Sequence, residues 1–270
     1  MTSYIDFARQ IRLRSLELCS AKKTSHLGGA FSVADILAVL YGGVLNISAA
    51  DPRAVARDRL FYSKGHACTA LYATLEAQGF LSEIDLLEEF TKDGSYFTSH
   101  VNHNVNGIEL STGSLGHALG VGAGSALAGK RRGLDWNVFV ILSDGELDEG
   151  SNWEAILFAA HHRLDNLVAI VDYNKIQSFG EVSQVMGLEP LTDKFRAFGW
   201  EVAEVDGHST SELESVLQGL KRSRRGHPKC VVAHTVKGKG VSFMENSLMW
   251  HYRSPSVADL AAARVELERG

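Results

Sequence analysis

The stretch Val138-Phe-Val-Ile-Leu-Ser-Asp-Gly-Glu-Leu-Asp-Glu-Gly150, followed a helix-length later by Leu167-Val-Ala-Ile-Val-Asp-Tyr-Asn-Lys-Ile176, decides the fold of this chain. Each apolar run is short and uninterrupted, the pattern of a strand buried on both faces. Each run ends abruptly in oxygen-bearing residues: Ser143-Asp144-Gly145 after the first and Asp172-Tyr173-Asn174 after the second. Two such strands separated by a helical segment predict adjacent parallel strands, with oxygen ligands gathered at their carboxyl ends. Asp144 can offer a carboxylate oxygen, Asn174 a carboxamide oxygen and Ile176 its main-chain carbonyl. A hard cation held by so few protein oxygens completes its shell with phosphates and water. Either residue alone reads as an ordinary turn former. The pair, each placed directly after a buried strand, points to a Mg²⁺ or other divalent cation site.

Working outward, further strands are expected at Leu60–Tyr62, Glu201–Val205 and Cys230–Thr235. Helices are expected over Tyr4–Ser20, from a Ser32 cap through Tyr41, from the Ser63-Lys64-Gly65-His66 turn through Gln78, from a Ser82 cap to Phe90, over Leu115–Lys130, and at 149–163, 191–198 and 209–222. The segment Thr91–Gly113 reads as an irregular polar loop, and long loops of this kind are usually functional. Residues after Lys237 read as an extended tail with a final helix over Val257–Glu268. Alternating strands and helices give an α/β fold, a doubly wound parallel sheet flanked by helices, expected as one domain over residues 1–270.

The net charge of −5 and the absence of a basic stripe argue against nucleic acid; the short Gly129–Gly133 basic patch reads as a solvated loop. Cys19, Cys68 and Cys230 are odd in number and lack paired spacing, which suits a reducing, cytoplasmic setting. No apolar stretch is long enough to cross a membrane, and the charged amphipathic start is unlike a secretion signal. The Gly/Ala-rich segment from Leu115 fails as a dinucleotide motif, because Leu127 stands where the third glycine belongs; it suits close helix packing instead. Eleven histidines are present, several beside glycine or serine, as transient hydrogen bonding and proton transfer require.

In order, the motifs SHLGGAFSVADIL, DRLFYSKGHA, GIELSTGSLGHALG, SDGELDEGSNWEA, VDYNKI, VDGH and HTVKGKGVSFMEN…WH closely resemble the amino-terminal part of transketolases. The spacing from Asp144 to Asn174 likewise resembles the thiamine diphosphate fingerprint, with Ser143 in place of its first glycine. The resemblance implies a thiamine diphosphate-binding fold of the diphosphate-binding type. Asp144, Asn174 and the Ile176 carbonyl would hold Mg²⁺. Gly145 and Glu146 would back the diphosphate with main-chain amides, and His66, Gly116 and His117 would lie near it. Leu115 and Ile176 would pack on the two sides of the cofactor. His26, His66, His100 and His251 would be the catalytic histidines, touching the oxygens of a sugar, and Glu149 and Glu154 would lie at a subunit interface.

The resemblance further implies transfer of a two-carbon ketol unit from a ketose to an aldose. It also implies a two-component enzyme: the pyrimidine-binding domain is absent from this chain, so a carboxy-terminal subunit would carry it, in an α2β2 assembly. Alternatives are the alpha subunit of a thiamine-dependent 2-oxo acid dehydrogenase, a deoxyxylulose phosphate synthase fragment, or a non-catalytic paralogue acting as an interaction module. The sequence departs from the family at Leu27 (SHLGG), Val101 (SHV) and Tyr252 (WHY), positions that bear on the sugar more than on the cofactor.

Overall fold

A computed structural model describes residues 3–269; of the domain expected over 1–270, Met1, Thr2 and Gly270 lie outside the described residues. Five parallel strands form the central sheet: β1 (Arg59–Tyr62), β2 (Val138–Ser143), β3 (Leu167–Tyr173), β6 (Glu201–Asp206) and β7 (Lys229–His234), in the order β1-β2-β3-β7-β6. The register sets Ile141 opposite Tyr62 and Ile170, and Asp172 opposite Ser143 and Ala233. Every residue of β2 and β3 is buried, because helices cover both faces. Successive side chains therefore enter different cores. Phe139, Ile141, Val168 and Ile170 pack with α1 (Tyr4–Lys22), α3 (Ala34–Val39), α4 (Cys68–Ala77) and α10 (Thr210–Arg222). Val138, Val140, Leu142, Ala169 and Val171 pack with α6 (Ala118–Arg131), α7 (Gly150–His161) and α9 (Leu191–Ala197). The doubly wound sheet expected from the sequence is present.

Several local expectations are corrected. Ser32 does not cap a helix; it is the last residue of α2 (Leu27–Ser32), which begins directly after His26. Its hydroxyl instead donates to Asp172 at 2.6 Å across the core. Ser82 is replaced as cap by Asp85, whose carboxylate accepts from the Glu88 amide, so α5 spans only Leu86–Glu89. Helix α6 starts three residues later than expected, with Gly116 at φ +82° preceding it. Gly129 to Arg131 form its last turn rather than a free loop; a Cβ at Gly129 would meet Trp136 Nε1 at 2.5 Å. A two-stranded hairpin, β4 (Ile176–Gln177) with β5 (Gly180–Glu181), runs into the single-turn α8 (Val182–Val185). All three are too short to leave a periodic signal.

Beyond Lys237 the chain is not extended. It runs through turns and a 3-10 turn at Leu248–His251 before α11 (Val257–Arg269). Val241, Met244, Trp250, Ala263 and Leu267 join Leu16, Leu27 and Phe31 in a third apolar cluster. That packing brings His251 back over the sheet edge. The loop 91–113 contains no helix or strand, as expected.

Candidate active site

The carboxyl ends of β1, β2, β3 and β7 converge on one cavity of about 210 Å³. This is where open parallel sheets bind ligands, since strand ends there present loops of different origin to one crevice. The β1 end contributes Lys64 and His66, the β2 end Asp144 and Gly145, the β3 end Asn174 and Ile176, and the segment after β7 contributes Lys237 and His251.

The four histidines singled out in the sequence meet here. His26 stands 4.8 Å from His251, 5.4 Å from His66 and 6.1 Å from His100 between ring centroids. His26 adopts φ +70°, unusual for a non-glycine residue, and its amide donates to the His251 carbonyl at 3.0 Å. Such backbone conformations cost on the order of 1–3 kcal/mol and persist where the surroundings enforce them. Burial lowers the His26 imidazole to about 4, helped by His100 and Lys237, and lowers His251 to about 3, helped by Lys237 and His26. His66 is pushed well down by burial and by Lys64, and His100 is lowered by burial. All four are neutral imidazoles at neutral pH. Lys237 Nζ lies 3.2 Å from His251 Nδ1. An ammonium only donates, so His251 Nδ1 accepts and its Nε2 carries the proton.

Asp144 is the strongest candidate cation ligand. Its carboxylate is 2% exposed and accepts from the Gly145 amide at 2.8 Å and the Lys175 amide at 2.6 Å. Burial, with Asp172 nearby, pushes its carboxyl up to about 6. An anion so poorly neutralised suits a divalent cation. Asn174 Oδ1 accepts from the Ile176 amide at 3.2 Å, and Lys237 Nζ donates to the Ile176 carbonyl at 2.9 Å, so a positive group already faces that oxygen. Among the described residues no three His, Cys, Asp or Glu side chains gather at metal-binding distance. A hard cation here would rely on one carboxylate, neutral oxygens and ligand phosphates, and the donor set fits Mg²⁺.

Leu115 lines the cavity with Gly145 and Ile176, whereas Gly116, His117 and Glu146 lie outside it. Glu146 is fully buried and acts through its side chain. It accepts from Ser63 Oγ, from the Gly116 amide at 2.9 Å and from the Ser143 amide at 3.3 Å, tying three of the sequence motifs together. His117 is exposed at the start of α6; Glu149 and Glu154 are exposed on or beside α7.

Sequence reasoning missed the charged floor of the site. Lys64 and Asp172, 1% and 0% exposed, form an ion pair in which Asp172 also accepts from Ser32 and Thr235. Lys64 donates further to the Gly29 carbonyl at 3.0 Å. Lys237 passes so close to Gly28 that a Cβ there would meet its Cγ at 3.0 Å. Two buried lysines beside one cavity would have been the signal for a bound anion, but burial is not visible in a motif.

Residues 4–268 match the family model described as "Transketolase, thiamine diphosphate binding domain". The chain belongs to the transketolase family. It is 41% identical over 263 residues to the 6-deoxy-6-sulfo-D-fructose transketolase subunit SqwG of a Clostridium species, covering 97% of this chain and 95% of that one. It is 40% identical over 247 residues to an apulose-4-phosphate transketolase subunit of Phocaeicola vulgatus, covering 91% and 86%. Human transketolase is 36% identical over 247 residues, covering 91% of this chain but only 39% of the human one. The solved transketolase of Leishmania mexicana superposes with a TM-score of 0.92 at 31% identity, covering 99% of this chain and 42% of that one. A transketolase-family transferase is therefore the reading upheld, over the 2-oxo acid dehydrogenase and the interaction module. In span the chain corresponds to the subunits of two-component transketolases rather than to whole ones.

Proposed function

We propose that this chain is the amino-terminal subunit of a two-component transketolase, binding Mg-thiamine diphosphate and working with a separate subunit that carries the pyrimidine-binding domain. The observation that carries this reading is the meeting of an Asp144–Asn174–Ile176 oxygen set with four neutral histidines in one cavity. Asp144, Asn174 and the Ile176 carbonyl would hold the cation; Gly145 and Lys237 would face the diphosphate. Lys237 supports this because two of its three N–H donors are taken by Ile176 and His251, leaving one for an anion. Leu115 and Ile176 supply the apolar walls.

Thiamine diphosphate, when bound, supplies the carbon nucleophile and electron sink that make a ketose C2–C3 bond breakable. The protein's part is to orient the sugar and manage protons. Neutral imidazoles both donate to and accept from hydroxyls, as a polyol needs. His251 presents its Nε2–H as a donor to a sugar oxygen, and His26, His66 and His100 lie close enough to share the remaining hydroxyls and to take a proton from the C3 hydroxyl. A 2-oxo acid offers no such row of hydroxyls.

Assembly would be an α2β2 heterotetramer, with Glu149 just before α7 and Glu154 on it at a subunit contact. Buried free thiols at Cys19, Cys68 and Cys230 fit a cytoplasmic enzyme. Among the described residues no helix is long and apolar enough to cross a membrane. The deciding experiment measures two-carbon transfer from a panel of ketoses, including sugars bearing phosphate or sulfo groups, using this chain alone and with candidate partner subunits. Transfer only in the mixture is expected; decarboxylation of a 2-oxo acid by the mixture would overturn the proposal.

A further inference from the structure

The VDGH motif contributes nothing to the cavity lining, yet its histidine sits in a directional chain of hydrogen bonds. Strand β7 ends at His234, and the Thr235 amide still donates to the Tyr173 carbonyl at 3.2 Å. At Val236 the chain has left the sheet, and its amide donates to His208 Nε2 at 2.8 Å. A backbone N–H can only donate, so Nε2 is unprotonated and the ring proton lies on Nδ1. Nδ1 in turn faces Asp35 Oδ2 at 2.7 Å. Asp35 is paired with Arg12, whose Nε donates to the Phe31 carbonyl at 3.1 Å. His208 is itself fixed at its backbone, where its amide donates to Asp206 Oδ1 at 2.9 Å. Arg12, Asp35 and His208 therefore orient one lone pair at one amide, immediately before Lys237.

We propose that His208 is a positioning residue for the cofactor pocket. Through the Val236 amide it fixes the backbone from which Lys237 reaches the Ile176 carbonyl and His251. The pocket's role rests on the function proposed above; the His208–Val236 tie does not. The Asp35 carboxylate holds the imidazole in the tautomer that accepts, the logic by which a carboxylate orients a histidine elsewhere, here aimed at a main-chain donor.

The two amide replacements separate this role from simple space filling. Asparagine can place a donor where Nδ1 stands but nothing where Nε2 stands; glutamine can place a carbonyl oxygen near Nε2. In the full chain with its partner, His208→Asn is expected to speed exchange of the Val236 amide at least tenfold. It is also expected to abolish the Nε2–H tautomer of His251 in ring ¹⁵N spectra and to weaken thiamine diphosphate binding about tenfold. His208→Gln is expected to stay within about threefold of the unaltered protein in exchange and affinity, and to keep the tautomer. Wild-type exchange and tautomer in His208→Asn would overturn the proposal, as would equal losses in the Asn and Gln variants. Failure of the unaltered complex to bind thiamine diphosphate would count against the proposed function instead, and the two spectroscopic readings would still decide the role of His208.

Discussion

Replacing Asp172 by Asn tests the charged floor of the site. Asp172 and Lys64 are buried almost completely, and the carboxylate carries the only anionic contact made by the Lys64 ammonium among the described residues. Two charges so far from water gain little net stability as a pair, because desolvation offsets their attraction. Removing one partner leaves a buried charge without compensation and typically costs about 3–5 kcal/mol. Ser32 donates to Oδ2 and Thr235 to Oδ1, so the single carboxamide oxygen keeps one of these contacts while the other hydroxyl turns to accept from the new NH2, which leaves the charge as the main change. With a urea m-value on the order of 3 kcal/mol per M, the denaturation midpoint of Asp172→Asn should fall by about 1–1.7 M. Lys64→Met should cost a similar amount by stranding Asp172. The double variant Lys64→Met/Asp172→Asn should recover most of it, giving a coupling energy of about 3 kcal/mol or more in a double-mutant cycle. Single variants costing under about 1 kcal/mol, or a double variant equal to the sum of the singles, would refute the reasoning.

The carboxyl of Asp144 is raised from 3.8 to about 6 in the folded chain, so ionising it opposes folding above that pH. Its contribution is most favourable below the unfolded value and is lost as pH rises through about 6. Asp144→Asn should therefore remove this pH-dependent loss in urea denaturation of the metal-free chain, offset by the loss of one of the two acceptors for the Gly145 and Lys175 amides, while abolishing Mg²⁺-dependent transfer. The histidines act oppositely: with His26 lowered to about 4 and His251 to about 3, the unfolded chain takes up protons first as pH falls below about 6.5. In the Asp144→Asn background, where the opposing carboxylate is gone, stability should fall progressively from pH 6.5 to 4, read by denaturation at each pH. His251→Ala should lower turnover about 10²–10⁴-fold, the usual worth of a proton-handling group, while cofactor affinity measured by titration changes little.

The fold and the histidine cluster were legible for different reasons. Strands β2 and β3 announced themselves because burial on both faces forces continuous apolar runs, and their ends mark the sheet edge where ligands gather. The histidines were legible only as members of an ordered set of motifs. The charged floor was not, because its members meet across the fold: Lys64 and Asp172 are 108 residues apart and Ser32 and Asp172 140; outside the cavity, Asp35 and His208 likewise meet across 173. Ser32 shows how a local rule misleads here. A serine ahead of an apolar run looks like a helix cap, yet its hydroxyl was needed by a buried carboxylate on another element. The resemblance implies a role for the Glu146 amide, but nothing in a motif shows that its side chain braces the strand ends and Gly116. The hairpin after Asn174 was invisible because two-residue strands are set by the turn between them rather than by periodicity.

Tyr252 and its neighbour Arg253, directly after His251, pack in opposite directions. Arg253 turns away from the cavity, pairing with Asp259 at 2.8 Å with its guanidinium 5.1 Å from the Trp250 ring. Tyr252 does the opposite: its ring packs edge-on against His251 at 5.0 Å, and its hydroxyl donates to the Ser178 carbonyl at 2.7 Å. That bond ties the β4–β5 hairpin, whose Ser178 lines the cavity, to the 3-10 turn carrying His251. The rim is thus braced by an aromatic residue rather than charged. Among the described residues, the lysines lining the cavity are Lys64 and Lys237. Lys64 is taken up by Asp172, and Lys237 by the Ile176 carbonyl and His251 with one donor left over. The rim itself therefore offers, among the described residues, no lysine for a second anionic group beyond the one that faces the Asp144–Ile176 end of the cavity.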